Sequence, residues 1–365
     1  MAPTSTASPA SAAVRLPSRV QAALDDFLAA QAQVLAEVAP ECADLLDGIR
    51  DLLRGGKRLR PAFCYWGYRG AGGADGDGIV DVGAALELFQ AAALIHDDLM
   101  DDSDTRRGLP SSHRRFAALH SGSGWSGGAE RFGLAGAVLS GDLCLGWSDE
   151  LFSTARLPAE AIARARSVFS LMRTQLMGGQ YLDVLEQASA AGADPAGAVE
   201  RARRVVRFKS AKYSMEHPLL LGGRLAGAGE ELLASYSTIG LALGEAFQLR
   251  DDVLGTFGDP GVTGKPAGDD LREGKRTVLV ALALQEATPS QAAVVDELLG
   301  DPDLDRDGVE RLRGVLVDTG AAADVERRIE ALVQEACDAL EAADVDDTTR
   351  TALHELLVAA TARQS

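Results

Sequence analysis

The sequence predicts an all-α protein, and three observations carry that expectation. Apolar residues recur at helical spacing, as in Leu24, Phe27, Leu28 and Leu35, and again in Leu45, Leu46, Ile49 and Leu53. Stretches that alternate with period two are few, and β-branched runs are short. Glycine and proline fall mostly between the periodic segments rather than inside them.

Taken in order, residues 1–14 lack the apolar content that offsets the entropy of ordering, and read as a flexible tail. Their start, rich in Ala, Ser, Pro and Thr, has no basic segment and no apolar run, so it is not a secretory signal. Long helices are predicted over 79–102, 134–155, 159–186, 196–221 and 230–257. Shorter ones follow over 277–286, 292–299, 308–318, 322–340 and 348–362. Two loops interrupt them: Ser121 to Gly128 (SGSGWSGG), a surface excursion, and Gly258 to Lys275, rich in glycine, proline and charge. Trp125 in the first loop reads as a surface or contact residue. No mid-chain linker and no fixed-period repeat is visible, so residues 15–365 are expected to form one all-helical domain, large for a single core.

The composition bounds the function. The 365 residues carry 36 basic and 54 acidic side chains, a net charge of −18. Such acidity argues against a nucleic-acid binder and against docking on an anionic membrane. No apolar run reaches the ~18 residues of a membrane-spanning helix. Four scattered cysteines (Cys42, Cys64, Cys144, Cys337) suggest neither a zinc site nor a disulfide framework. The expectation is a soluble, reduced, cytoplasmic protein.

Three constellations carry chemistry. His96-Asp97-Asp98-Leu99-Met100-Asp101-Asp102 closes an apolar helix. Asp97 and Asp101 share a face, with Asp98 beside them; like charges at this spacing, near the negative end of the helix dipole, call for a cation. A hard divalent ion fits, Mg²⁺ above all, because it takes one or two carboxylates and completes its shell with water and substrate phosphate. The second is Gln248-Leu249-Arg250-Asp251-Asp252-Val253-Leu254-Gly255, where Gln248, Asp251 and Asp252 share a face. Facing each other across a bundle, two such clusters would hold metal ions and a polyanion. The third is a set of cations in glycine- and proline-punctuated settings: Lys57, Arg58 and Arg60, then Arg106 and Arg107, then Lys209 with Ser210, then Lys265 and Lys275. In so acidic a chain these islands suggest phosphate recognition. The Gly-Gly-Lys lacks the P-loop pattern, and no His-Glu-x-x-His, Gly-x-Ser-x-Gly or helix-opening Gly-x-Gly-x-x-Gly occurs.

The ordered set GGKRLRP, HDDLMDDSDTRRG, GDLCL, GQYLD, KSAKY and FQLRDDVLGTFGD leading to GKPAGDDLREGKRT resembles the trans-polyprenyl diphosphate synthases from about Leu53 to Thr277, and within them the actinobacterial geranylgeranyl type. The resemblance implies an isoprenoid-synthase helical bundle around a central apolar cavity, a homodimer, and Mg²⁺-dependent condensation of isopentenyl diphosphate with an allylic diphosphate. By position it implies Asp97 and Asp101 as principal Mg²⁺ ligands with Asp98 in support, and Asp251 as a further ligand with Asp252 near it. Lys57, Arg60, Arg107 and Gln90 would bind isopentenyl diphosphate. Arg106, Lys209, Ser210, Gln248, Lys265 and Lys275 would surround the allylic diphosphate, with Asp183 in support. The second motif departs from the family's Asp-Asp-x-x-Asp, since its last position is Gly255; Asp259 lies beyond it as a partial substitute.

Product length follows from helix geometry within this resemblance. The residues four, five and eight before Asp97 are Ala93, Ala92 and Phe89. A helical turn rises ~5.4 Å, close to one isoprene unit. Two alanines leave the first turn open, and Phe89 either blocks the pocket about one turn deeper or is ordinary core packing; the first reading favours geranylgeranyl diphosphate, with longer products next. The alternatives are a class I terpene cyclase, disfavoured by Arg-Asp-Asp-Val-Leu-Gly and the Lys57/Arg60 pair, and a non-catalytic regulatory subunit, disfavoured because both aspartate clusters persist.

Overall fold

The computed structural model describes residues 9–188, 197–258 and 268–361. The architecture is all-α: α1 (Pro9–Val38), a 3₁₀ turn (Pro40–Cys42), α2 (Ala43–Leu53), α3 (Leu59–Gly70), α4 (Asp77–Met100), α5 (Ser112–Gly122), α6 (Ala129–Ser153), α7 (Ala159–Ala188) and α8 (Ala198–Val205). A π-helix, Val206–Glu216, then leads to α9 (His217–Ala226), α10 (Glu230–Phe257), α11 (Asp269–Arg272), α12 (Val278–Glu286), α13 (Pro289–Leu298), α14 (Arg306–Asp318), α15 (Ala321–Ala342) and α16 (Asp347–Thr361). Among the described residues the β structure is a short hairpin, β1 (Thr105–Arg106) with β2 (Leu109–Pro110).

The chain divides into two compact units. One comprises residues 1–166, 218–228 and 345–352; the other comprises 167–217, 229–344 and 353–365. The units are interleaved along the chain, so no single linker marks them in the sequence. In the first, α4 packs against α1, α3 and α6, and Ser148 Oγ of α6 donates to the buried Ala85 carbonyl of α4 at 2.7 Å. α4 is apolar nearly all round, as a helix enclosed on every side must be. Its most apolar 18 residues have a mean hydropathy of 1.6, enough on composition to cross a bilayer and contrary to the sequence expectation that no segment qualifies. That window is 83% buried inside the protein, which makes α4 a core helix. In the second unit α10 packs against the π-helix and α15. A second core gathers Leu249, Leu271, Val278, Leu279, Leu312 and Ile329.

Four further features differ from the sequence expectation. α1 starts at Pro9, inside the expected tail, because Ala10, Ala12 and Ala13 favour helix by backbone propensity even without an apolar face. α3 forms despite Tyr65, Trp66 and Gly67, which are poor helix formers, because their burial overrides propensity. α5, also absent from the expected set, stands between the hairpin and the SGSGWSGG loop, where Trp125 packs edge-on against Phe132 and His120. The helix expected over 196–221 is three pieces, with the wider π-helix at its centre. Extended π-helix is rare and is frequently found at functional sites. All four cysteines are free, and full burial pushes the thiols of Cys64 and Cys144 up, leaving them inert.

Candidate active site

In the first unit the site is assembled from the end of α4 and the segments on either side of it. The Asp101 amide donates to the Asp97 carbonyl at 2.9 Å and the Ser103 amide to that of Asp98 at 2.9 Å, which ends the helix at the carboxylates. The chain then turns through Asp102, at φ 51°, into the hairpin. Its tip, Arg107-Gly108, has positive φ at both residues (55° and 76°), the geometry of a two-residue type I′ turn. Arg106 ends β1 in extended backbone whereas Arg107 sits in the left-handed conformation of the turn, and the two arginines meet different partners. Arg106 Nε donates to Asp98 Oδ1 at 2.8 Å, and its Nη2 lies 3.5 Å from Asp97 Oδ2. Arg107 turns the other way: Nη1 donates to the Leu52 carbonyl at 3.1 Å, and the guanidinium lies over Gly56.

The Gly55-Gly56-Lys57-Arg58 turn is thereby brought beside Arg107. Gly55, Gly56 and Arg58 all have positive φ, and for arginine that conformation is a strain the surroundings must support. The support is visible. Arg58, 4% exposed, is ion-paired with Glu87 of α4 and donates to Gln21 Oε1 at 2.6 Å and to the Leu53 carbonyl. Fixing this turn leaves Lys57 exposed and Arg60 half-buried on the first turn of α3. The cations form one field: burial and the neighbouring Arg58, Arg106 and Arg60 hold the Arg107 guanidinium below its usual pKa, with Glu87 opposing. Burial pushes the Asp98 carboxyl up, against the Arg106 hydrogen bond that draws it down. Gln90 is half-buried on α4, Ala92 and Phe89 are fully enclosed, and Ala93 is half-buried.

In the second unit α10 carries Gln248, Asp251, Asp252 and Gly255. Asp251 is exposed, whereas Asp252 is buried and accepts from Gln248 Nε2 at 2.8 Å. Burial, and then the adjacent Asp270, push the Asp252 carboxyl well above the usual carboxylate range; Asp251 adds to this, and Gln248 and Lys275 oppose it. Lys275 Nζ lies 3.2 Å from Asp270 Oδ1. In the same unit Lys209 of the π-helix pairs with Asp183 of α7 at 2.6 Å. α7 comes this close because Gly179 has no side chain; a Cβ there would overlap the backbone of Phe208 and Lys209. Ser210 follows Lys209 on the π-helix, half-buried. Lys265 and Asp259 lie outside the described residues.

The sequence reading missed two contributors. Arg58 was visible only as one cation among several, and its anchoring role depends on Glu87. The signal available was a lone acid inside the apolar run Ala84-Ala85-Leu86-Glu87-Leu88-Phe89, since a buried carboxylate needs a partner. Asp270 was hidden in Gly-Asp-Asp-Leu-Arg-Glu as one acid among three.

The donor set suits Mg²⁺. Among the described residues no three carboxylate or imidazole groups converge to enclose an ion. Carboxylates offered one or two at a time, beside guanidinium groups that take phosphate, match the way Mg²⁺ is held jointly by protein and diphosphate. The crowding of Asp252 against Asp251 and Asp270 is the kind of repulsion that a divalent ion relieves.

An all-helical fold whose apolar core helix ends in paired carboxylates beside a field of arginines defines a class of protein built to hold a polyanion with cations. Residues 43–315 match the Polyprenyl synthetase family, and the chain belongs to that family. It is 33% identical over 308 residues to the geranylfarnesyl diphosphate synthase of Aeropyrum pernix, covering 83% of this chain and 89% of that one. Against the geranylgeranyl diphosphate synthase of Sulfolobus acidocaldarius it is 31% identical over 249 residues, covering 68% of each. Among solved structures, geranylgeranyl pyrophosphate synthase from Corynebacterium glutamicum, complexed with isoprenyl diphosphate and magnesium, superposes with a TM-score of 0.91 at 39% identity, covering 96% of this chain and 99% of that one.

Proposed function

We propose that this chain is an Mg²⁺-dependent prenyltransferase that condenses isopentenyl diphosphate head-to-tail with an allylic diphosphate, yielding geranylgeranyl diphosphate. The observation that carries the reading is the arginine field of the first unit beside the Asp97-Asp98-Asp101 helix end, in a chain of the polyprenyl synthetase family. The proposed Mg²⁺ ligands are Asp97, Asp101, Asp251 and Asp252. Bound there, Mg²⁺ supplies electrostatic stabilisation of the departing diphosphate.

The side chains do the rest. Lys57, Arg60, Arg107 and Gln90 hold isopentenyl diphosphate. Arg106, Lys209, Ser210, Gln248, Lys265 and Lys275 hold the allylic diphosphate and favour its charge on leaving. The allylic C–O bond breaks with its electron pair going to the diphosphate. The double bond of isopentenyl diphosphate then attacks the allylic carbon to form the new C–C bond, and the released diphosphate takes the proton lost. Holding both substrates in register supplies the entropy advantage. The apolar wall of α4 before the aspartates keeps water from the carbocation.

Chain length rests on α4. Phe89 is fully enclosed and stands eight residues before Asp97, with the small Ala92 and Ala93 between. That supports a pocket open for one turn and closed below. Identity does not decide length, because the relatives include a geranylfarnesyl synthase at 33% identity and geranylgeranyl synthases at 31% and 39%. The two units are proposed to act as one helical domain, residues 15–365, in a cytoplasmic homodimer. Exposed Phe132, Leu134 and Leu139 on α6, and Leu171, Met177 and Tyr181 on α7, support dimerisation.

The test is incubation with Mg²⁺, isopentenyl diphosphate and each of dimethylallyl, geranyl and farnesyl diphosphate, with mass analysis of the products. Geranylgeranyl diphosphate is expected to accumulate. Longer products would move the floor below Phe89, and no elongation from any starter would overturn the assignment.

A further inference from the structure

We infer that Glu245 is a positioning residue for the allylic diphosphate: it takes Arg203 and Arg207 together, and so fixes where Lys209 and Ser210 stand. The inference rests on the proposed role of Lys209 and Ser210 and extends it to the residues behind them.

Glu245 interrupts the apolar stretch Ala242-Leu243-Gly244-Glu245-Ala246-Phe247 of α10 and is 4% exposed. A carboxylate so buried is tolerated only with partners, and both come from one neighbouring segment. Arg203 Nη2 donates to Glu245 Oε2 at 3.2 Å, and Arg207 Nε donates to Oε1 at 2.9 Å. Arg203 belongs to α8 and Arg207 to the π-helix, which begins at Val206. One carboxylate therefore spans the junction at which the winding changes.

That junction governs Lys209. A π turn closes i→i+5 bonds and so holds about one residue more than an α turn. Continued as α-helix, the segment would turn the residues beyond Val206 by up to roughly 100°, carrying Lys209 off Asp183 and Ser210 with it. Glycine on both sides makes room for the wide form. A Cβ on Gly179 of α7 would overlap the backbone of Phe208 and Lys209, and one on Gly244 or Gly240 of α10 would overlap Ala211 or Glu216. At the far end the buried Glu216 accepts from Ser237 Oγ of α10 and from Lys212 Nζ, each at 2.6 Å. Glycines give clearance but no register; the two arginine pairs of Glu245 supply it. All of these residues lie in the second unit.

The test is a double-mutant cycle between Glu245 and Lys209, with turnover and binding read separately. Wild type, Glu245→Gln, Lys209→Ala and the double variant are assayed for kcat and for the KM of each substrate. Each is also titrated by calorimetry with inorganic diphosphate in the presence of Mg²⁺. Glutamine keeps the shape of the side chain but cannot accept from two guanidinium groups as a carboxylate does. Melting without ligand checks that each variant folds; Arg207→Gln, at a more exposed position, carries the same test where Glu245→Gln does not fold. Glu245→Gln is expected to weaken diphosphate binding and to raise the KM of the allylic diphosphate about tenfold, leaving the KM of isopentenyl diphosphate within about twofold. In the Lys209→Ala background the same change should add less than about twofold, because the contact it positions is already gone. A fall in kcat alone, an equal rise in both KM values, or effects that multiply with Lys209→Ala overturns the inference. A wild type that binds diphosphate but elongates no starter overturns the proposed function, and the binding cycle still decides the role of Glu245.

Discussion

The two aspartate motifs look alike as strings and are built in opposite ways. The first is local: Asp97, Asp98 and Asp101 end α4, and the arginine that holds two of them is Arg106, eight residues from Asp98. A two-residue hairpin is enough to bring them together. The second is assembled from a distance. Asp251 and Asp252 come from α10, Asp270 enters from α11 over Gly255, and Lys275 sits behind it. A local site is robust to changes elsewhere, whereas a site gathered across the chain depends on each anchoring contact. The comparison also locates the cost of the first region, which is paid at the Gly55–Arg58 turn through the buried Arg58–Glu87 pair.

The largest expected effect strikes that support. Glu87→Ala leaves the Arg58 guanidinium buried without its carboxylate, and breaking such a pair from one side typically costs about 3–5 kcal/mol. Urea unfolding reads it directly; a loss below about 1 kcal/mol would mean that the strained turn stands without the pair. Next is Asp97→Ala, expected to lower kcat/KM by roughly 10²–10³-fold with the helical circular dichroism spectrum unchanged. Unaltered turnover would break the metal assignment of the first motif.

The second compact unit, which holds His217, carries a pH signature. Burial lowers the His217 pKa from 6.5 to about 4. Its Nε2 donates to Gln175 Oε1 at 3.0 Å, while Nδ1 is buried with no hydrogen-bond partner, so protonation would strand a cation. The unfolded chain therefore binds this proton more readily than the folded one. The stabilisation is whole above about pH 6.5 and is lost as pH falls toward 4, by on the order of 3 kcal/mol. The melting temperature should fall over that window in wild type and fall less in His217→Gln; equal slopes would remove the assignment. The smallest change is in product rather than rate. Phe89→Ala, with both motifs intact, should lengthen the main product by about one isoprene unit, as mass analysis would show. An unchanged product would make Phe89 ordinary core packing.

Much of this was legible in the sequence, for definable reasons. α10 was predicted over the same residues, 230–257, that it occupies, because an apolar period of 3.6 is a local property of the chain. The first motif and its arginines were readable because all of them fall within about ten residues of one another. Trp125, expected as a surface or contact residue, is exposed and packs on Phe132. Less was legible where local preference and packing disagree. The aromatic α3 became a helix through burial, and the helix expected over 196–221 widened into a π-helix where Lys209 meets Asp183.

By itself the sequence determined the all-helical class, the apolar α4 and the residue types proposed to hold a diphosphate, since periodicity and charge spacing act over a few turns. Only the tertiary structure decided which acids have partners. Glu87 meets Arg58 across 29 positions, and Asp270 reaches Gly255 from α11. Such pairings are set by close packing between elements, and spacing along the chain carries no record of them.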